Sequence, residues 1–139
     1  MIRTQKGFTL AELLIVIVIL GILGGIALPR FYPQQEKARV AEAISMLSAI
    51  RQGEMGYHLE SGVYLALDKD KADTEWGKIG IDKPPVNQFE YSVNGGTSGT
   101  GAATATRVSD DAKYNNKTII LNIDGTWAAS GDHPFKPST

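Results

Sequence analysis

From Phe8 to Leu28 the chain is apolar at every position but two, Thr9 and Glu12. Together with its glycines the run approaches the roughly 20 residues that a bilayer-spanning helix needs. A chain of 139 residues has room for one compact domain, or for a long helix and a small head. Nearly all the remaining charge lies after Pro29, so the two segments address two different solvents.

Arg3 and Lys6 ahead of an apolar stretch have the general form of an export signal. Three readings compete. The run is a signal peptide cut after Ala27, where Gly25-Ile26-Ala27 is a small-x-small site; or an uncleaved signal anchor; or a segment that stays in the mature protein after cleavage ahead of it, at Gly7–Phe8. Glu12 separates them. A carboxylate early in a hydrophobic signal costs on the order of a few kcal/mol and does nothing for export. Cleavage at Gly7–Phe8 frees an α-amino group four residues before Glu12. That amine adds to the exposed N–H groups of a helix start, and a carboxylate relieves both. Pairing with a neighbouring subunit's amine also sets register, and specificity is the better-attested use of a buried ion pair.

The residues Lys6-Gly7-Phe8-Thr9-Leu10-Ala11-Glu12-Leu13-Leu14-Ile15-Val16-Ile17 carry a resemblance. They are similar to the prepilin-type cleavage and methylation motif of type IV pilins and type II secretion pseudopilins, across roughly residues 3–35. The resemblance implies that a prepilin peptidase cuts after Gly7 and N-methylates Phe8, and that Glu12 meets the Phe8 amine of an adjacent subunit. Ala11 departs from the usual bulky aliphatic residue. Loss of residues 1–7 removes two of the 14 basic side chains, leaving 12 against 15 acidic ones, a formal charge of −3 in place of −1.

Gly21, Gly24, Gly25 and Pro29 weaken the helix, at about 1 kcal/mol per glycine and about 3 for proline. Small residues suit close helix packing in a membrane, and proline alone gives a kink. In assembled pili the stretch between a mid-helix glycine and this proline is often partly unwound, and Gly21 and Pro29 stand in the matching places. The expectation is unwinding in the filament and a continuous, gently kinked helix in the isolated subunit.

Beyond Pro29 the pattern becomes amphipathic. Val40, Ala43, Ile44, Leu47 and Ile50 fall on one face, Lys37, Ser45, Ser48 and Gln52 on the other. The helix is expected to end at Arg51–Gly53, with Gly53 and Gly56 as stop signals. Its length, on the order of 65 Å at 1.5 Å per residue, exceeds what a small head can bury. Residues 54–88 read as a connecting region with turns at Ser61-Gly62 and Pro84-Pro85 and an exposed charged stretch over residues 68–75. Phe89, Tyr91 and Val93 alternate as a strand, residues 94–101 reverse the chain, and residues 102–108, 118–123 and 126–128 read as further strands, the last with Trp127. The tail from Ser130 reads as irregular. The predicted fold is α+β: a hydrophobic-then-amphipathic N-terminal helix packed on an antiparallel sheet of three or four strands. Its predicted parts are a leader (residues 1–7), an assembly helix (8–29) and a pilin-like head (30–139).

Catalytic chemistry finds no foothold. The chain has no cysteine, which excludes disulfides and thiolate sites. His58 and His133 lack ligand partners at metal-binding spacing. Asp68, Asp70 and Asp73 superficially resemble a calcium loop but lack its glycine and distal glutamate. The disulfide-bracketed C-terminal loop of pathogen-type pilins cannot form here. Asp124 and Asp132, beside Gly125 and Gly131, do not have the spacing of the calcium site carried by major pseudopilins. Phe31 and Tyr32 suit interfacial anchoring or subunit packing, in preference to an electron-transfer chain. Near-neutral charge argues against a nucleic-acid partner.

The sequence therefore predicts a non-enzymatic structural subunit without metal or cofactor. The resemblance implies that it polymerises with itself into a type IV pilus after passing through the bacterial inner membrane as a single-pass precursor. Its further partners would be the prepilin peptidase and an inner-membrane pilus or secretion assembly platform. The alternatives are a periplasmic type II secretion pseudopilin, or a minor pilin whose head binds a ligand or DNA.

Overall fold

A computed structural model describes residues 7–97, 99–128 and 132–137, the side chains of residues 28–31 excepted. Most of the leader, residues 1–6, lies outside the described residues, as do the side chains of Pro29 and Phe31 and, in the tail, Ser130 and Gly131. Helix α1 spans Leu10–Ser61, helix α2 Asp73–Gly77, and strands β1, β2 and β3 span Phe89–Val93, Ala103–Arg107 and Thr118–Leu121. The chain forms two compact units, one ending at Glu36 and one spanning Lys37–Thr139.

The first unit contains the apolar part of α1. Leu10–Ala27 is long and apolar enough to cross a membrane, and none of it is buried within the chain. α1 is helical without interruption through Gly21 and Pro29. Among its glycines, a Cβ added at Gly21, Gly24 or Gly25 would meet nothing within 4 Å, so these positions present open helix surface.

The second unit is a helix laid on a sheet. The strands pair antiparallel in the order β1-β2-β3, with Val93 opposite Ala103 and Ala103 opposite Leu121, then Tyr91 opposite Ala105 and Ala105 opposite Ile119. Large side chains thus stand on the outer strands and alanines on the central one, a trough that receives the predicted helix face. Val40, Ala43, Leu47 and Ile50 are buried there with Phe89, Ile119 and Leu121, and Ile44 packs at the edge. Lys37, Ser45 and Gln52 are exposed as the periodicity predicts, while Ser48 is half-buried and its hydroxyl donates to the Ile44 carbonyl at 2.9 Å.

Three expectations are corrected. The helix does not stop at Arg51–Gly53. Gly53 is a point of close approach: a Cβ there would lie 2.3 Å from the Ile79 carbonyl oxygen, so glycine admits the connecting chain against α1. The buried stripe instead continues to Glu54, and Tyr57 packs on the core. The helix ends at Gly62, whose φ of 76° is left-handed and whose N–H donates to the His58 carbonyl at 2.8 Å, an αL cap.

The connecting region is more ordered than its sequence suggests. Residue 67 bridges Val93 of β1, residue 64 bridges Gly96, and α2 carries Trp76 into the core. The indole N–H of Trp76 donates to the Asp68 carbonyl at 3.2 Å. At the other end of the sheet, the strand expected at residues 126–128 is a single bridge from Trp127 to Leu121, and β3 stops at Leu121 because Asn122 and Gly125 turn the chain. Both sheet edges are thus partly covered, which limits edge-to-edge pairing.

Candidate functional site

The start of α1 concentrates the residues singled out by the sequence. Gly7, Phe8 and Thr9 are non-helical and exposed, with Phe8 82% accessible. The Leu13 N–H donates to the Thr9 carbonyl at 3.3 Å, which makes Thr9 the residue that caps the helix. The Thr9 N–H and the Thr9 hydroxyl both donate to Glu12 Oε2 at 2.9 Å, and the Glu12 N–H donates to Thr9 Oγ1 at 3.2 Å. This is a reciprocal capping box, satisfying two of the N–H groups a helix start leaves open. Its signature, Thr9-x-x-Glu12, stands in the sequence, where Glu12 otherwise reads as an intersubunit acid.

Two donors converge on Oε2, and none of the described residues donates to Oε1. The carboxylate is therefore held in a fixed orientation at the helix start, with an oxygen still able to accept. Gly21 and Pro29 lie farther along the same helix and do not come near this cap: Pro29 is about 25 Å from Glu12 at 1.5 Å per residue.

Several polar residues of the head have structural partners among the described residues. Asp68 Oδ1 accepts the backbone N–H groups of Asp70 and Lys71 at 2.9 and 3.1 Å, and Lys69 pairs with Glu90 at 3.2 Å. Asp124 accepts from the Thr126 N–H and hydroxyl, and these bonds hold its carboxyl below the usual range. Asp132 ties the tail to β3: the Thr118 N–H donates to it at 2.7 Å and depresses its carboxyl, with Lys117 3.3 Å away. The next residue, His133, is buried among Phe89, Tyr114 and Phe135, with ring centroids 5.9 to 6.2 Å from its own. A chain without cysteine thus closes its tail on the sheet through hydrogen bonds and aromatic packing. His58 stacks on Tyr64 at 4.2 Å. Arg107, buried in β2, donates to the carbonyls of Gln88 and Val108 and lies over the Phe89 ring. Neither Arg107 nor Trp76 stood out in the sequence, because a lone Arg in an Ala-Thr strand and a Trp in a charged stretch carry no periodic signal.

Residues 2–28 match the family model described as the prokaryotic N-terminal methylation motif. The chain is 33% identical to a fimbrial protein of Eikenella corrodens, over 99% of this chain and 91% of that protein. It is 36% identical to a fimbrial protein of Pseudomonas aeruginosa, over 90% of this chain and 84% of that one. With a type IV major pilin protein of Neisseria gonorrhoeae the identity is 45%, over 89% of this chain and 68% of that protein. Against another gonococcal type IV major pilin, 33% identical, the chain spans about half of the relative's length, 52%. An exposed apolar helix, a capped acid at its start and a helix-on-sheet head define a pilin-like protein. By these relationships the chain belongs to the type IV pilin family and is a pilin-type structural subunit.

Proposed function

We propose that the chain is a prepilin, cut between Gly7 and Phe8 and N-methylated at Phe8 by a prepilin peptidase, which then polymerises with copies of itself into a type IV pilus. The observation that carries this is the Gly7–Phe8 bond, exposed and non-helical, three residues ahead of the first helical residue Leu10 and beside the capped Glu12. A peptidase needs an extended, accessible bond, and this one lies outside the helical hydrogen-bond ladder.

Once Phe8 carries a free amine, Glu12 Oε1 is the acceptor for the amine of a neighbouring subunit, while Oε2 keeps its capping role. Before assembly the Leu10–Ala27 segment lies in the inner membrane as a single span; afterwards its exposed leucines and isoleucines pack against those of adjacent subunits. The assembly platform supplies the transfer between the two. The stretch from Gly21 to Pro29 unwinds in that packing, since its glycines are poor helix formers and present open surface to neighbours.

A surface pilus and a periplasmic secretion pseudopilus share this polymer chemistry and differ in where the fibre goes. Electron microscopy of fibres sheared from cells, with mass spectrometry of their subunit, tests the reading. Fibres built from this chain are expected. A deletion that blocks protein secretion while no fibre contains the chain would replace the pilus with the pseudopilus.

A further inference from the structure

The helix-on-sheet unit contains a buried acid that the assembly chemistry leaves unused. Glu54 lies on the core stripe of α1, one turn beyond Ile50, and has no solvent exposure. Its Oε2 accepts the backbone N–H of Leu65 at 2.8 Å, across the turn that follows the helix. Its Oε1 is buried and has no donor among the described residues. A half-satisfied carboxyl in a packed interior is costly when ionised, and far less so when protonated.

The partner of Glu54 is a segment seated by a few separate contacts. The Gly96 N–H donates to the Tyr64 carbonyl at 2.6 Å, and Leu67 and Val93 exchange N–H···O bonds of 2.8 and 3.4 Å. Gly95 lies so close to this segment that an added Cβ would be 2.1 Å from the Ala66 nitrogen. Gly101, at φ 66°, fits under the Tyr64 ring, whose position is shared with the stacked His58. The segment makes no long ladder: Leu67 is buried in the core with the face of α1, the Ser61 hydroxyl bonds Val63, and the Glu54–Leu65 bond ties the segment to the buried stripe of the helix.

We propose that Glu54 is a proton-controlled latch, whose buried carboxyl holds residues 63–67 closed against the end of α1 when protonated and lets them open more readily when ionised. The neighbouring titratable groups are otherwise engaged. On α1, Arg51 spends its Nε–H on the Ile123 carbonyl at 2.7 Å, Tyr57 packs on the core and His58 stacks on Tyr64. On the segment, Tyr64 is the one titratable group. After β3, Asp124 accepts from Thr126, and residues 94–101 between β1 and β2 bring no charge. Burial pushes the Glu54 carboxyl up, against the smaller opposing effect of the Leu65 N–H. The closed state therefore holds the proton more tightly than the open one. Its stability is fully present below the ordinary glutamate range and is lost as the pH rises through the raised value.

Hydrogen exchange of the full-length chain in detergent micelles, corrected for the intrinsic pH dependence, reads the latch at the Leu65 amide. Protection of Leu65 and Gly96 is expected to fall several-fold as the pH is raised from below the ordinary glutamate range to well above it, and to become independent of pH in Glu54→Gln, whose amide oxygen still accepts from Leu65. Protection that is flat in the unsubstituted chain, or that changes equally in Glu54→Gln, overturns the proposal. A ¹³C titration of the Glu54 carboxyl in the unsubstituted chain does not depend on the variant folding. A midpoint above the ordinary glutamate value, coincident with the change in protection, supports the latch; a midpoint at or below that value overturns it.

Discussion

Replacing Glu12 by alanine is expected to leave cleavage at Gly7–Phe8 intact and to abolish filaments. The scissile bond precedes the helix and is exposed whether or not the cap is formed. The substitution removes the acceptor for two Thr9 donors, a loss of about 0.5–2 kcal/mol at a helix start, and a long apolar helix in a bilayer tolerates that. A filament has no such tolerance. Each incoming Phe8 amine would enter a lipid-free core with no carboxylate to meet it, and an unpaired buried charge costs about 3–5 kcal/mol at every subunit. Thr9→Ala separates the two roles of Glu12: it removes the capping hydroxyl but keeps the carboxylate, so filaments are expected to persist at reduced yield. Immunoblots for processing and electron microscopy for fibres check both. Normal filaments from Glu12→Ala would remove the assembly role given to that residue.

Replacing Trp76 by alanine is expected to be the most damaging single change in the head. Trp76 is 1% exposed and joins α2 to the core, and its indole N–H is bound to the Asp68 carbonyl. Truncating a buried tryptophan costs about 3–5 kcal/mol, a large part of the roughly 5–15 kcal/mol by which a domain is stable. At about 4–8 °C per kcal/mol for a unit of this size, thermal unfolding of the detergent-solubilised chain should drop by at least about 12 °C. Trp76→Phe retains most of the ring and loses the hydrogen bond, so its drop should be clearly smaller. An alanine variant melting within a few degrees of the unsubstituted chain would show that α2 is not part of the cooperative unit.

These two residues mark what the sequence does and does not disclose. Glu12 stands out because it breaks a chemical rule: an acid in an apolar run demands a reason. The core face of α1 is legible because Val40, Ala43, Leu47 and Ile50 repeat with the helical period. The β-strands are legible from alternation, although the chain between Asn122 and Gly125 turns too soon for Ile123 to remain in β3. Trp76 is hidden in a charged stretch, because a single buried side chain on a helix of five residues generates no period. Gly53 misleads for a physical reason. Glycine ends helices by adopting positive φ, but it also admits a neighbouring backbone, and only the position of Ile79 distinguishes the two uses. Glu54 and His133 are similar cases: polar residues whose burial no local pattern announces.

At the start of α1 the structure adds a local geometry, the Thr9–Glu12 capping box. The carboxylate proposed to meet an amine in the assembled state already has a partner in Thr9 within its own chain. In the proposed assembly Glu12 has two successive uses, capping its own helix and then receiving a neighbour, and its two oxygens allow both. The proposed assembly depends on the amine that cleavage at Gly7–Phe8 creates. The intact mass of the chain purified from its native membrane or filament tests that most directly. The expected mass is that of a chain lacking residues 1–7 and bearing one added methyl group on Phe8; a chain beginning at Leu28, cut after Ala27 like a secreted protein, would contradict the proposed processing.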